Sequence, residues 1–217
     1  MHVQSTFRAT LPNTNSAATG GVHDLLSAMQ PAAITLYDPD AVIYAQGGAA
    51  GPLYFVEFGT VRICRLTADG RRQISAFHTA GDVFGFQPGD EHESYAESVH
   101  GVGIRVLRTN CANQPSSSML LLAIKGLART QNHLMVLGRR NANERMAALL
   151  LDLSERQGDE KLVHLAMQRN DIADYLGLTF ETVSRILRSL KDQRIIRLRT
   201  TNEIEILDFE SLEDMCE

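Results

Sequence analysis

The chain has 217 residues, 44% of them hydrophobic, and a net charge of −5, enough for one large folded domain or two small ones. Its longest apolar runs, Met119 to Ile124 and Met146 to Leu151, are far shorter than a bilayer span, and no charged, then apolar, then small leader opens it. A cytoplasmic protein without a membrane partner is the expectation, and Cys64, Cys111 and Cys216 lie too far apart to suggest a disulfide framework or a metal quartet.

Residues 1–22 are rich in Thr, Ser, Ala, Asn and Gly without apolar periodicity and read as a mobile arm. A second unit is expected over 23–114. From Ala33 to Leu107, short β-type runs follow one another at Ala41 to Tyr44, Leu53 to Phe58, Val61 to Leu66, Gln73 to Phe77, Val83 to Phe86 and Gly103 to Leu107. Turn signals punctuate them, among them Asp38-Pro39-Asp40, Glu57 to Gly59 and Ala80-Gly81-Asp82, so a small antiparallel barrel or roll is predicted.

Over 115–141 the pattern changes to a long amphipathic helix, with Ser116 to Ser118 offering a cap. Leu120, Ile124, Leu127, Gln131, Leu134 and Gly138 recur at spacings of four and three, the rhythm of a helix that packs along a partner helix. A homodimer seam is the functional reading; packing on the chain's own roll would produce the same stripe. A further helix, capped by Asn141 or Asn143, is predicted from Glu144 to Leu153.

Residues 142–217 hold the most informative stretch, Arg169 to Leu190, RNDIADYLGLTFETVSRILRSL. With Gly177 at the turn, Ala173 is small where two helices approach closely, and Ile172, Leu176, Leu178, Val183 and Ile186 fall at packing positions. Asp171, Asp174, Glu181, Ser184, Arg185 and Arg188 remain outside, and Thr179 caps the second helix. This is a helix-turn-helix, and double-stranded DNA is the expected partner; a winged helix used only for packing is the alternative. Ile195 to Leu198 and Ile204 to Leu207 form the hairpin that completes a winged helix-turn-helix, so the whole chain reads as an α+β fold.

If the second helix enters the major groove by its N-terminus, Phe180, Glu181, Ser184 and Arg185 face base edges. Arg185 matches guanine O6 and N7, Glu181 a cytosine amino group, and Phe180 a thymine methyl. Arg169, Thr179, Thr182, Arg188 and Lys191 are assigned to the phosphate backbone. An ordinary surface ion pair between Glu181 and Arg185 is the bland alternative. The charge distribution agrees with DNA: residues 161–200 carry 8 Lys/Arg against 4 Asp/Glu, whereas 1–100 carry 5 against 10. From residue 201 on there are 7 acidic and no basic residues, so this tail is expected to lie away from DNA.

Glu181 to Arg185 (ETVSR), Gly81-Asp82-Val83-Phe84-Gly85 and the long central helix resemble the CRP/FNR superfamily, and Asp171 to Arg185 most resembles its FixK type. The resemblance covers about residues 25–210. It implies a cyclic-nucleotide-binding-like β-roll, a dimerisation helix and a winged helix-turn-helix, and a homodimer on a TTGA...TCAA palindrome. It further implies activation through RNA polymerase in low-oxygen or nitrogen-fixation-linked gene control, with Glu181, Ser184 and Arg185 matching the base-reading triplet of FNR-like members. The departures imply no cofactor: no cysteine precedes Cys64, where FNR proper carries a cluster for iron and sulfur. Gly85-Phe86-Gln87 and the region of Ser94-Tyr95 supply neither the glutamate nor the arginine that holds cyclic AMP in CRP proper.

Rival readings are a haem-, ligand- or redox-responsive member of the same superfamily, with His78 and Cys64 as candidate ligands, and a pure interaction module. A cupin-like metal enzyme would use His78, His92 and His100, but these lack a paired His-x-His with a following carboxylate. The expectation is therefore a protein that is not an enzyme and holds no metal.

Overall fold

A computed structural model describes residues 33–68, 70–107, 117–158 and 160–216; the expected arm at 1–22, Cys111 and the cap position Ser116 lie outside them. The N-terminal half is a sheet built from β1 (Ile34–Tyr37), β2 (Val42–Tyr44), β3 (Leu53–Leu66), β4 (Arg72–Thr79), β5 (Val83–Phe84) and β6 (Tyr95–Leu107). Its order is β1-β6-β3-β4, all antiparallel, with β2 also paired to β6 and β5 to β3. Tyr44, Tyr54, Val56, Val61, Phe84, Ala96, Val102 and Ile104 fill its interior.

Two expectations are corrected here. The runs Leu53 to Phe58 and Val61 to Leu66 are one 14-residue strand, because Glu57 to Gly59 forms a bulge and not a turn. Gly59, at φ 85°, makes this possible: a Cβ there would lie 2.3 Å from the carbonyl oxygen of Gly101. Likewise β6 begins at Tyr95, eight residues before the run that signalled it, with register shifts against β3 absorbing the irregular alternation.

Helix α1 (Ser117–Leu137) follows, then α2 (Ala142–Arg156), whose N-terminus is capped by Asn141 accepting from the Glu144 N–H. The helix expected over 115–141 ends at Leu137; Gly138, assigned to the seam, lies just beyond it, with its N–H donating to the Leu134 carbonyl. The C-terminal unit continues with β7 (Leu162–His164), α3 (Arg169–Leu176), α4 (Phe180–Asp192), β8 (Ile196–Leu198), β9 (Glu203–Ile206) and α5 (Phe209–Asp214). Strands β7, β9 and β8 form a three-stranded antiparallel sheet in that order.

One apolar cluster joins the two halves. Met146, Leu150, Ile172, Leu176, Val183, Leu187, Leu190, Ile196 and Ile204 pack with Ile74 and Phe77 of β4. Docking of the roll against α3 is thus part of the core. None of the described helices is long and apolar enough to cross a membrane.

Candidate nucleic-acid interface

The α3-α4 elbow forms as its sequence dictates. Gly177 takes the left-handed conformation (φ 63°, ψ 40°) that ends α3, and the Leu178 N–H returns to the Ala173 carbonyl at 2.9 Å. Thr179 then accepts the Thr182 N–H at 3.2 Å and starts α4. Ile172, Ala173, Leu176, Val183 and Ile186 are buried between the helices, and Leu178 packs partly buried against them.

What this packing leaves outside is the face assigned to DNA. Phe180 is 45% exposed at the first turn of α4, and Glu181, Arg185, Arg188 and Lys191 are exposed along it. Thr179 is exposed at the cap, while Arg169 and Thr182 are half-buried. Arg185 Nη2 donates to Thr182 Oγ1 at 3.4 Å, which extends the guanidinium along the helix toward its N-terminus, the end with the helix dipole's positive pole. Glu181 lies in that first turn, where a carboxylate is favoured.

Three residues depart from expectation. The Ser184 hydroxyl, read as outward, is shielded from solvent and has no hydrogen-bond partner. Asp171, also read as outward, is only 2% exposed. Its Oδ1 accepts from Arg72 Nη2 at 2.7 Å and Arg62 Nη1 at 3.4 Å, and its Oδ2 lies 3.4 Å from the Gln168 N–H at the start of α3. Asp174 is half-buried and takes Arg72 Nε at 2.8 Å. Both acidic residues are bound by Arg72 of the roll, Asp171 buried and Asp174 partly open to solvent.

Several positioning groups escape a reading of the sequence. Arg145 of α2 donates from Nη1 to the Leu176 carbonyl and from Nε to the Arg139 carbonyl, tying the elbow to the turn after α1. In the wing, Glu205 Oε2 binds Arg197 Nη1 at 3.0 Å and Arg199 Nε at 2.8 Å, and these guanidiniums hold its carboxyl below the usual range. An arginine inside an apolar strand run, as at Arg62, is the signal that a buried carboxylate must face it.

The seam residues Leu120, Ile124, Leu127 and Leu134 are 52–61% exposed, and Gln131 is exposed among them. Leu121 and Met135 widen the apolar stripe. Of the histidines weighed as ligands, His78 and His92 are in or beside the roll's aromatic core, His92 lying flat on Tyr44 at 3.6 Å. Burial pushes the Cys64 thiol up to about 12, with Glu97 adding to it, so the thiolate is disfavoured. Among the described residues no cluster of three His, Cys, Asp or Glu side chains can hold a metal.

Residues 144–215 match the Crp-like helix-turn-helix domain, and residues 34–100 match the cyclic nucleotide-binding domain. Nitrogen fixation regulation protein FixK of Rhizobium meliloti (strain 1021) is 45% identical over 186 residues, 86% of this chain and 88% of that protein. The chain is a FixK-type transcription regulator of the CRP/FNR superfamily. FixK of Azorhizobium caulinodans is 40% identical, covering 78% of the regulator and 73% of that relative. The structure of FixK2 from Bradyrhizobium japonicum superposes with a TM-score of 0.79 at 33% identity, over 87% of the regulator and 98% of that chain. The regulator therefore carries a helix-turn-helix DNA-binding domain on a CRP-like roll, and like these relatives it is not an enzyme.

Proposed function

We propose that the regulator binds a TTGA...TCAA-like palindrome as a homodimer and activates transcription through RNA polymerase in low-oxygen or nitrogen-fixation-linked gene control. The single observation that carries the DNA reading is the exposed face of α4, with Phe180, Glu181 and Arg185 open to solvent at its leading end. These residues and Ser184 read base edges, Ser184 by turning its unpartnered hydroxyl outward. Arg169, Thr179, Thr182, Arg188 and Lys191 contact phosphates. The exposed stripe of α1 from Leu120 to Leu134 supports the homodimer, since a run of apolar side chains of such exposure along one helical face marks an interaction surface. The names of the FixK relatives support the physiological assignment. We place the functional units at 1–22, 23–114, 115–141 and 142–217.

The regulator acts without cyclic nucleotide and without an iron-sulfur cluster. Rings of Tyr44, His92, Tyr54 and Phe84 stack through the roll interior, and a Cβ on Gly85 would lie 2.8 Å from the Tyr54 ring. These residues do not fit a cyclic phosphate, which needs a facing guanidinium. A cluster needs several close thiolates, and three dispersed cysteines do not supply them.

Mobility-shift titration at stated salt, against matched and scrambled palindromes, tests the DNA reading. Arg185→Ala is expected to lose preference for the matched site, a change of about 1–3 kcal/mol per lost base contact, while Lys191→Ala weakens both duplexes alike. Equal loss on both duplexes by Arg185→Ala would overturn the assignment.

A further inference from the structure

Helix α3 bears the elbow from which α4 projects, and it is clasped from three sides. His133 of α1 stacks on Tyr175, Arg145 of α2 holds the Leu176 carbonyl, and the roll reaches it through Phe77, Arg62 and Arg72. The contacts differ in kind. An edge-on ring pair such as Phe77 and Tyr175, 5.3 Å apart, tolerates sliding, because dispersion has no fixed direction. The guanidinium contacts do not. Arg72 spreads its planar fork across two carboxylates one helical turn apart, Nη2 to Asp171 at 2.7 Å and Nε to Asp174 at 2.8 Å.

Arg62, the third member, is itself immobilised. Its Nε is 2.8 Å from Glu97 and its Nη2 is 2.8 Å from Asp40, both on the roll, and Nη1 is left pointing at Asp171. With side-chain exposures of 8% for Arg62 and 2% for Asp171, this pair is desolvated, and separating the two would leave an uncompensated buried charge. The latch leaves the reading face of α4 free.

We propose that Asp171 and Asp174, gripped by Arg62 and Arg72, are positioning residues for operator binding: they fix the angle of the helix-turn-helix on the roll and so set the half-site spacing the dimer accepts. The proposal rests on the homodimer and palindrome reading above. In a two-fold dimer joined through α1, the roll and α1 move as one body with the partner. The distance between the two α4 helices then depends on how α3 is held to that body. A rotation of α3 that leaves each α4 intact displaces the two reading heads relative to each other.

The test uses the full chain with Arg72→Gln, Asp174→Asn and Asp171→Asn. Asp174→Asn alters a side chain 29% exposed and leaves Asp171 both its guanidiniums, so it tolerates neutralisation even if Arg72→Gln or Asp171→Asn unfolds. Affinity is measured for the selected palindrome, for versions one base pair longer and shorter, and for a duplex with a single half-site, alongside dimer mass by light scattering. The native protein is expected to favour one spacing by about 30-fold or more, and the variants to compress that preference to about 3-fold or less. Their half-site affinity should stay within about twofold of the native value, and their mass should be unchanged.

Unchanged spacing preference in Arg72→Gln and Asp174→Asn would overturn the proposal. So would tighter binding to the optimal palindrome, which would make the latch inhibitory, or parallel loss on the half-site, which would make it a support of the motif's fold. A native protein that favours no duplex at all would instead sink the DNA reading itself.

Discussion

The imidazole of His133 lies flat on the ring of Tyr175, with centroids 3.7 Å apart and planes within 4°, while its Nε2 is 2.9 Å from the Tyr175 carbonyl oxygen. For that contact Nε2 must carry the proton. Burial lowers the His133 pKa against the opposing pull of the Tyr175 and Ser75 carbonyls, and raises that of Tyr175 to about 12. His133→Ala removes a ring pair and a hydrogen bond together, so a loss of about 1–3 kcal/mol is expected. Urea unfolding should show a lower midpoint with an unchanged slope. A midpoint equal to that of the native protein would mean the stack forms no part of the docking.

A different histidine should add to the acid sensitivity of the fold. Burial pushes His78 from its ordinary value near 6.5 down to about 4; Arg129 and Arg156 act in the same direction and Asp82 against it. Its Nδ1 has no hydrogen-bond partner, and the Asp82 carboxylate is 4.0 Å away. Because the folded value is depressed, the unfolded chain binds the proton first as pH falls. Stability from this group is whole above pH 6.5 and declines between 6.5 and 4, by on the order of 3 kcal/mol in full. His78→Gln should flatten the pH dependence of the unfolding midpoint across that window, and a slope identical to the native protein's would count against it.

The elbow is legible in the sequence because its determinants are local. Gly177 supplies a left-handed turn, Thr179 a cap, and the apolar spacing around them closes two short helices on each other. The latch is not legible in the same way. Arg62 and Asp171 are 109 residues apart, and Asp171 at the start of a helix looks like any exposed N-terminal acid until its partner arrives from the roll. Strand β7 has three residues and α5 six, too few for a period to register, so neither shows in the residue pattern. The bulge at Gly59 mimics a turn in sequence because both need the same backbone freedom.

Two glycines of the roll should answer alanine substitution differently. At Gly59 the new Cβ meets backbone, the Gly101 carbonyl oxygen at 2.3 Å and the Val102 Cα at 2.9 Å, on a residue already at φ 85°. Neither atom can give way without moving β6, so Gly59→Ala is expected to cost about 3 kcal/mol or more. At Gly103 the Cβ meets the Phe58 ring at 2.4 Å, but that ring is 51% exposed and free to swing out. Gly103→Ala should therefore cost only about 1 kcal/mol, the price of one displaced rotamer. Thermal unfolding of both variants checks the contrast, and equal losses would show that the ring over Gly103 is as fixed as the backbone at Gly101.

The seam proposed on α1 can be separated from folding in one measurement. Leu134 is 61% exposed in the single chain, so Leu134→Glu removes little that the monomer buries. Any large effect must arise where a second copy covers the position. There the carboxylates of two chains would face each other across an apolar stripe, and burying such unpaired charge costs several kcal/mol. The expected result is a monomer by light scattering with a native circular dichroism spectrum and much weaker palindrome binding, because two half-sites no longer bind as one event. Half-site binding, which needs only one helix-turn-helix, should survive. A dimer of unchanged mass would move the interface off this stripe, whereas loss of half-site binding together with the dimer would show that α4 is ordered only in the assembled protein.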